Sequence, residues 1–572
     1  MLRKKIFIIV VLVCFSSAWA LEPPTKEQLE QYQRDGTLTL RMLNALALGN
    51  HLVAPDLVKS FAYRIAYLRL SMAGKSPAEI QRLLGLPPGT TNVLKSKGTS
   101  KIFALLLAFP DYPASQSLDS IYGKIFGDGA GEWPRESLRN YYRRASYNML
   151  EIQGAVLGWY QPAYTRSSMA QTSTARENLI KEALTYFDNQ GHDFSQYDND
   201  GNNVLDYFVV IWTGPNNGWG NFWWGYQTSF ADQNFRLDGK SLYRTRYSWQ
   251  WESNPYPGTF RPYVVIHETG HALGLPDYYD YDATVGPKGG VGGLDMMDAN
   301  QGDHNCFSKM LLDWISPQVF NYGTRSCTLG VSAISQEALI VMPEFSSESP
   351  FDEFFMVQNR LRLENDYYLP ADGLLIWHVD ARLSGSSFKY NNSYTDHKLL
   401  RLMEADGLEH IEKGYSSHAA DYYIQGKAFT PHTIPNSSRY DASESGVSVS
   451  GISPNGVFMT FAADIHYTLL APQNFVIERQ EGDYIFFREH INKLSWEPNP
   501  KNRTLITSYK LYKKARGASD GTYVPLAELD AEPSKTKYFF EHRGLKKNEL
   551  FTYRIIAVDK NGVESVPGEV SN

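Results

Sequence analysis

Apolar residues in the first half of the chain follow two kinds of pattern. Residues 21–97 show helical spacing, with an N-cap and a capping-box glutamate at Ser76 and Glu79. Residues 102–109 and 204–212 are continuous apolar runs, which are typical of strands buried on both faces of a sheet. Helical spacing also marks three further segments: 137–150, 176–187 and 264–275. These patterns predict a helical N-terminal segment followed by an α/β unit.

Two segments of the α/β unit show neither pattern. Residues 214–225 are rich in Gly, Asn and Trp, which predicts a loop. Residues 241–250 are polar and β-prone, so we predict an edge strand there. An edge strand has free main-chain hydrogen-bonding groups, to which an extended peptide can add as a further strand.

Helical spacing fades after about residue 321. Short β-type runs then alternate with turns, at 338–342, 353–358, 373–379, 447–452 and 457–461. This alternation predicts an all-β domain over residues 321–468. About seven short strands follow in residues 469–572, which favours an immunoglobulin-like sandwich. We therefore predict a multidomain chain that combines α/β and all-β domains.

The N-terminus has the order of a secretory signal peptide. Basic residues at 3–5 precede an apolar run at 6–15 and the A-x-A sequence Ala18-Trp19-Ala20. The apolar run is too short to cross a bilayer as a helix. We expect cleavage after Ala20 and secretion, and no later segment has the length of apolar sequence that a transmembrane helix needs.

Composition limits the classes of partner. The 572-residue chain is 42% hydrophobic and 20% charged, which is ordinary for a globular protein and excludes disorder. Its net charge is −7 and it has no long basic run, so we predict no nucleic-acid partner.

Cysteine is scarce in this chain. Without the signal peptide only Cys306 and Cys327 remain. An even pair in an oxidising compartment suggests one disulfide, and two buried free thiols are the alternative.

The segment from His267 to Asp277 carries candidate chemistry. It reads His-Glu-Thr-Gly-His-Ala-Leu-Gly-Leu-Pro-Asp. Two histidines four residues apart lie on the same face of a helix, so His267 and His271 can bind one Zn²⁺. Glu268 adjoins the first ligand without binding the metal, and it can serve as general base toward the water that zinc activates.

Gly274 and Asp277 extend this motif. Gly274 permits the chain to leave the helix sharply with a positive φ, which returns Asp277 as a third ligand. The fourth position then stays open for water and substrate. Asp280 and Asp282 lie close by and remain alternatives to Asp277. This combination arises by chance with odds on the order of 1 in 10,000, so the match is specific.

The pattern HExxHxxGxx(H/D) resembles that of the metzincin metalloproteases. In that family a turn containing methionine lies beneath the zinc site. The sequence Gly-Gly-Leu-Asp-Met-Met-Asp at 292–298 is similar to that turn, with Met297 the better candidate for the floor. Many metzincins place a tyrosine two residues after this methionine. This chain has Ala299 there, which leaves open the residue that stabilises the transition-state oxyanion.

An aspartate as third ligand resembles the immune-inhibitor-A family of secreted bacterial metalloproteases. The similarity covers roughly residues 100–465 and includes 103–112 and the run Gly-Leu-Leu-Ile-Trp-His-Val-Asp at 373–380. It implies a zincin, metzincin-like catalytic domain over residues 98–320. The C-terminal module, residues 469–572, is similar to fibronectin type III.

A second metal-binding pattern lies between the two apolar strands. Oxygen donors occur with the spacing of a calcium loop at Asp198, Asp200, Asn202, Val204 (through its backbone carbonyl) and Asp206. Asn203 stands where glycine is usual, and asparagine tolerates the left-handed conformation. We predict a structural Ca²⁺ there, with a solvated Asx-rich turn as the alternative.

The helical segment before the catalytic domain has two interpretations. Family resemblance and its position suggest that residues 21–97 are a propeptide. Several metzincins are silenced by a propeptide Cys or Asp on zinc. Residues 21–97 contain no Cys, so a cysteine switch is excluded, whereas Asp35 and Asp56 remain candidates. The alternative is a permanent N-terminal subdomain.

Together these features predict a secreted zinc endopeptidase that hydrolyses proteins or peptides. We expect a monomer whose C-terminal β modules are available for contact with a surface, a glycan or matrix. The rival hypothesis is a catalytically inactive zincin scaffold that serves as an adhesin or glycan-binding surface protein. The trailing β modules suit that rival, and the intact His/Glu/His/Asp set argues against it.

Overall fold

A computed structural model describes residues 24–85, 87, 93–128, 133–345, 350–394, 397–483, 488–502, 506–532 and 534–572. The expected signal peptide at 1–20 lies outside the described residues. Within them, no helix combines the length and apolar character needed to cross a membrane.

The N-terminal segment is helical, as its spacing predicts. Its helices are α1 Lys26–Arg34, α2 Leu38–Leu48, α3 Pro55–Met72 and α4 Pro77–Leu84. Ser76 and Glu79 form the expected capping box at the start of α4. Val53 to Phe61 place apolar side chains in the main core of the molecule, so this segment is packed onto the α/β unit.

The α/β unit is built on one mixed sheet. Its strands and those of a small hairpin are β1 Gly98–Leu107, β2 Leu150–Tyr160, β3 Tyr207–Trp212, β4 Tyr226–Ser229, β5 Arg236–Leu237, β6 Lys240–Ser241 and β7 Arg246–Trp251. The order in the sheet is β2-β1-β3-β7-β4. All neighbours are parallel except β4, which pairs antiparallel to β7. The short strand β4 is therefore an edge of this sheet.

The prediction of an edge strand at 241–250 is wrong. Its second half is β7, which pairs with β3 on one side and with β4 on the other. Tyr247 and Trp249 are buried, and they belong to the aromatic core on one sheet face. Polar residues alternate with these aromatic residues along β7, so the sequence of the strand does not show that it is buried. Beta4 has only four residues and directly follows the Trp-rich loop, so it shows no periodicity of its own.

Both faces of the sheet are covered, as the apolar runs predict. Along β1, Ile102, Ala104 and Leu106 face one core, whereas Phe103 and Leu105 face the other. The covering helices include α5 Leu118–Ile125, α6 Leu138–Ala145, α7 Ser173–Asn189 and α8 Tyr263–Ala272. Helix α7 packs in the second core, and α5 and α6 pack in the first. Two short helices follow: α9 Met296–Ala299 and α10 Cys306–Leu311.

The next region is rich in β-structure, as predicted. Its strands are β8 Gln318–Phe320, β9 Gly323–Gly330, β10 Leu339–Val341, β11 Glu353–Arg360, β12 Gly373–Asp380, β13 Leu383–Ser384, β14 Ser387–Phe388, β15 Leu400–Leu402, β16 Val447–Ser450 and β17 Phe458–Ile465. The main sheet has the order β15-β12-β11-β10-β8, and a second sheet has the order β16-β17-β9. Their apolar residues join α3, α5, α6 and α10 in one continuous core. The predicted boundary at 320/321 therefore does not separate two hydrophobic cores.

The C-terminal module has its own core. Its strands are β18 Gln473–Asp483, β19 Arg488–Glu497, β20 Ile506–Ala515, β21 Val524–Asp530, β22 Tyr538–Leu545, β23 Phe551–Asp559 and β24 Gly568–Ser571. They form sheets of order β18-β19-β22 and β21-β20-β23-β24. Trp496, Tyr509 and Tyr538 lie buried between them. Two antiparallel sheets around one core are what a sandwich requires, and the fibronectin type III assignment stays a prediction.

The two cysteines of the described residues are free thiols. Cys306 begins α10 and Cys327 lies on β9, and both are buried. Of the two alternatives, the structure therefore supports buried thiols over a disulfide.

Candidate metal centre

Helix α8 and the turn after it form the centre. The helix ends at Ala272, and Gly274 has a φ of 101°, as the motif predicts. A Cβ at Gly274 would lie 2.8 Å from the Cβ of Leu57 in the N-terminal segment, so the turn is also tightly packed. This turn brings Asp277 back to the face of α8 that carries both histidines.

The structure brings His267, His271 and Asp277 together. The Nε2 atoms of the two histidines lie 2.8 Å and 3.3 Å from Oδ1 of Asp277. Ligand atoms about 2.1 Å from a tetrahedral zinc lie about 3.4 Å apart, so the three groups fit one ion after a small adjustment. All three side chains are at most 3% exposed. Asp280 and Asp282 do not belong to this cluster of potential ligands.

Backbone carbonyls orient the two imidazoles. Nδ1 of His267 lies 2.9 Å from the carbonyl oxygen of Met296, and Nδ1 of His271 lies 2.8 Å from that of Leu275. Each carbonyl can accept a hydrogen bond from a protonated Nδ1. The Nε2 atom is then unprotonated, and its lone pair can bind a metal ion at the centre. Such outer partners fix the tautomer and the ring orientation of metal-binding histidines.

The electrostatics of the cluster favour a positive charge. Burial is the largest single influence on His267 and opposes its charge, but the hydrogen bond with Asp277 and the charges of Asp277 and Glu268 together outweigh burial and raise the pKa of His267 to about 9. Burial also opposes the ionisation of Asp277, yet the charges of His271 and His267 hold its pKa below its usual range. Two imidazoles and a carboxylate that attract a charge in this way form the donor set of a divalent cation site.

Glu268 lies beside the cluster and outside it. Its Oε2 atom is buried without a hydrogen-bond partner. Burial raises the pKa of Glu268 to about 7, although the charges of His267 and His271 and the backbone of Gln227 oppose this shift. A carboxylate with a pKa near neutrality can both accept and return a proton, which is what a general base and acid must do.

Met297 packs directly beneath α8. A Cβ added at Gly270 would lie 2.3 Å from Sδ of Met297, so the absent side chain of Gly270 provides the space for this methionine. The carbonyl of Met297 also accepts a hydrogen bond from the N–H of Tyr278, which follows Asp277. The structure therefore places Met297 under the centre, where the resemblance implies a floor.

Two tyrosines at the centre were missed by the motif. The hydroxyl of Tyr281 donates to Oδ2 of Asp277. The ring of Tyr279 stacks on Tyr281 with centroids 5.1 Å apart, and both are buried. They follow Asp277 within four residues, whereas Ala299, which stands where many metzincins have a tyrosine, ends helix α9. The run of aromatic residues after Asp277 was the signal available for them.

The turn before α3 packs against this centre. The carbonyl of Asn50 accepts a hydrogen bond from the N–H of Asp277 at 2.7 Å, and its side-chain amide donates to the carbonyl of Gln227 on β4 at 3.2 Å. The N–H of Ala54 donates to the carbonyl of Gly274 at 2.9 Å. The N-terminal segment thus forms hydrogen bonds both with the edge strand β4 and with the turn between Gly274 and Asp277.

The two acidic candidates of this segment have other contacts. Asp35 accepts hydrogen bonds from the backbone and hydroxyl of Thr37, and Asp56 lies 3.5 Å from the ammonium of Lys59. His51 lies nearer the centre, with its ring centroid 5.4 Å from that of Tyr281.

Residues 198–206 form a turn stabilised by its own side chains. Asp198 accepts hydrogen bonds from two backbone N–H groups of the turn and from the ammonium of Lys240 at 2.7 Å. Asn203 has the expected positive φ, of 67°. Burial raises the pKa of Asp206 to about 7, and two nearby carboxylates add to the shift. A calcium ion would have to displace the Lys240 ammonium from Asp198, and the calcium site stays a prediction.

Comparisons with known proteins identify distant relatives. No family model matches the chain. It is 26% identical over 238 residues to the pre-pro-metalloprotease PrtV of Vibrio cholerae serotype O1, which covers 33% of this chain and 26% of PrtV. It is 27% identical over 182 residues to immune inhibitor A of Bacillus thuringiensis subsp. alesti, which covers 26% of each chain. This chain is related to metalloproteases. It spans about a quarter of the length of these relatives.

Solved structures give weaker likenesses. OgpA from Akkermansia muciniphila matches over 84% of this chain and 95% of its own, with 10% identity and a TM-score of 0.19. The twitchin kinase region from C. elegans matches over 18% of this chain and 16% of its own, with 24% identity and a TM-score of 0.14. Both scores are too low to indicate a shared overall fold.

Replacement of Asp277 tests the assignment of the third ligand. We expect Asp277→Ala to lower zinc affinity at this centre by more than about 100-fold, since the loss of a mere outer-shell partner costs about 10–100-fold. Competition with a chromophoric chelator measures this affinity. Asp282→Asn is the control and should bind zinc as the unmodified protein does. Equal losses in the two variants would contradict the assignment.

A double-mutant cycle tests the position of Met297. Gly270→Ala should destabilise the fold by about 1–3 kcal/mol through overpacking, and Met297→Ala by about 2–5 kcal/mol through the cavity. In the double variant the new methyl group enters that cavity, so the two effects should differ from additivity by about 0.5–3 kcal/mol. Urea denaturation gives the three values. The pair Gly270→Ala and Met296→Ala should be more nearly additive, and additivity in both cycles would refute the contact.

Proposed function

We propose that this protein is a secreted zinc-dependent endopeptidase of the metzincin type. The observation that carries the proposal is the convergence of His267, His271 and Asp277 beside Glu268, whose Oε2 is buried without a hydrogen-bond partner. The relationship to proteins named as metalloproteases supports the same reaction class. Proteins or peptides are then the substrates, and the protein acts as a monomer.

The residues of the centre have distinct tasks in this proposal. His267, His271 and Asp277 would hold the zinc ion, which when bound supplies a Lewis acid and lowers the pKa of a water molecule to about 7. Glu268 takes the proton of that water as it attacks the scissile carbonyl. Protonated Glu268 then gives the proton to the leaving amine.

Strand β4 is the proposed support for the substrate. It replaces residues 241–250 in this role, because β7 is an internal strand. The carbonyl of Gln227, which accepts a hydrogen bond from Asn50, is available to a peptide once Asn50 leaves. An extended peptide there adds a strand to the sheet and brings its main chain alongside Glu268.

The same contacts make residues 21–97 a propeptide in this proposal. Asn50 bonds to both Gln227 and the N–H of Asp277, so a substrate and the N-terminal segment compete for the same place. The four residues of the centre are at most 3% exposed while the segment is present. The alternative of a permanent subdomain predicts full activity of the intact chain.

The rival adhesin hypothesis finds its support in the C-terminal module. That module has an independent core and suits contact with a surface, a glycan or matrix. The buried Oε2 of Glu268 favours the enzyme, since a carboxylate oxygen left without a hydrogen bond is costly and serves no purpose in a scaffold without catalysis.

Glu268→Gln tests the mechanism. The amide keeps the shape of the side chain but cannot accept the proton, so we expect kcat/KM to fall by about 10² to 10⁴-fold. Hydrolysis of a peptide library by the processed protein gives the rates, and zinc content shows that the metal is retained. Glu252→Gln, which alters another buried carboxylate, is the control. A zinc-loaded Glu268→Gln enzyme of unchanged rate would rule out this mechanism.

Processing tests the role of residues 21–97. If the segment closes the cleft in nine molecules of ten or more, the intact chain should hydrolyse peptides at least about tenfold more slowly than the processed chain. Activity and the N-terminal sequence are followed in the same time course. Full activity in a chain whose mass confirms that it is intact would establish the segment as a permanent subdomain.

A further inference from the structure

A second group of potential ligands lies in the loop after β15, far along the chain from the catalytic motif. Asp406, His410 and His418 each offer one ligand atom, and these atoms lie within 4.8 Å of one another. The rings of His410 and His418 have centroids 5.1 Å apart. The donor set of two imidazoles and one carboxylate is the same as that of His267, His271 and Asp277.

The carboxylates of this loop each use one oxygen to fold it. Oδ1 of Asp406 accepts the N–H of Leu408 at 2.9 Å, and Oδ2 of Asp421 accepts the N–H of His418 at 2.6 Å. The second oxygen of each carboxylate is buried and makes no hydrogen bond of good geometry. Asp421 is completely buried, so this oxygen has no access to solvent. Each of these two oxygens faces a ring nitrogen of His418.

His418 connects the two carboxylates. Its Nδ1 lies 2.8 Å from Oδ1 of Asp421, and its Nε2 lies 3.2 Å from Oδ2 of Asp406. The first distance suits a buried carboxylate that orients the ring from behind. The second is close to the separation of about 3.4 Å between two ligands of a tetrahedral zinc. Metal-binding histidines commonly have this arrangement, with one ring nitrogen on the metal and the other hydrogen-bonded to a carboxylate.

Glu404 binds backbone groups of the loop, and this role bears on which kind of metal the site would hold. Its two carboxylate oxygens accept the N–H groups of His410 and Ile411, at 2.6 Å and 3.0 Å. These hydrogen bonds hold the loop in place and use both oxygens of Glu404. An all-oxygen site for calcium would need Glu404 with Asp406 and Asp421, whereas Asp406 also lies within ligand distance of the imidazoles of His410 and His418. Imidazole nitrogen favours zinc and related transition metals over calcium.

We propose that Asp406, His410 and His418 bind a second divalent metal of the zinc class, with Asp421 orienting His418. Within the described residues, the ion pairs of Asp406 and Asp421 are made only with His418, so one imidazole faces two carboxylates. A divalent cation supplies the remaining charge. This second site is independent of catalysis at His267 and His271.

The position of the site indicates what the metal does. Ile411 lies between two of the ligands in sequence, and a Cβ at Gly292 would lie 2.6 Å from its side chain. The N–H of Ser417 donates to the carbonyl of Gly292 at 2.8 Å, and the N–H of Lys288 donates to that of Glu412 at 3.0 Å. The metal therefore holds the β-rich region against the segment that leads into Met297.

Metal stoichiometry tests the proposal on the full chain. After removal of loosely bound metal, we expect two zinc ions per unmodified chain, one in His267→Ala/His271→Ala and one in His410→Ala. His466→Ala is the control, because His466 is an exposed partner of Asp464 in the same region. It should retain two. A single zinc in the unmodified chain that disappears in His267→Ala/His271→Ala overturns the second site, and calcium in place of zinc overturns its assignment to the zinc class.

A cysteine variant separates ligation from a purely structural role. His410→Cys supplies a thiolate, which is itself a zinc ligand, so it should regain the metal that His410→Ala loses. With Co²⁺ in place of Zn²⁺, the same variant should show a thiolate-to-cobalt charge-transfer band that the unmodified chain lacks. A folded His410→Cys variant without the band and without the additional metal refutes the proposal. Loss of zinc at the catalytic motif alone would count against the proposed function and leave this site standing.

Discussion

The burial of three ionisable groups at one point is the constraint on which the structure depends. Two imidazoles and a carboxylate without access to water are stable only if every donor and acceptor is matched and a positive charge lies among them. The surroundings of His267, His271 and Asp277 meet the first condition. Two backbone carbonyls fix the histidines, and Tyr281 occupies the second oxygen of the aspartate. The sharp turn at Gly274 brings the aspartate to the two histidines, and Met297 packs against the glycine of α8 beside them.

The candidate site could be predicted from sequence because its geometry is local. A helix places residues i and i+4 on one face, and a glycine in a positive φ reverses the chain within three residues, so His267, His271 and Asp277 converge without any knowledge of the fold. Asn50 and Tyr281 could not be found in this way. Asn50 meets the site through packing across more than two hundred residues of chain, and Tyr281 was hidden because the expected position for a tyrosine came from relatives.

The strands show the same division between local and distant information. Strands β1 and β3 have continuous apolar runs because both faces of the sheet are covered, so the sequence alone predicts them. The interior position of β7 depends on the four residues of β4, which pair with it only because the preceding loop returns to the sheet. Likewise, a boundary at 320/321 follows the change from helix to strand, yet the core runs across it from α10 to β17. A change from helices to strands along the chain shows where the local sequence pattern changes. It does not show which helices and strands pack in the same hydrophobic core.

The hydrogen bond from the N–H of Asp277 to the carbonyl of Asn50 has a consequence for energetics. It joins the turn that presents a metal ligand to the segment that covers the centre. If metal binding stabilises that turn, it also strengthens the docking of the segment on it. By reciprocity, the docked segment strengthens metal binding by the same factor. If residues 21–97 are the propeptide that we propose, release of the segment and loss of the ion are opposed by a common coupling, and the covered protein is the form that best retains a metal.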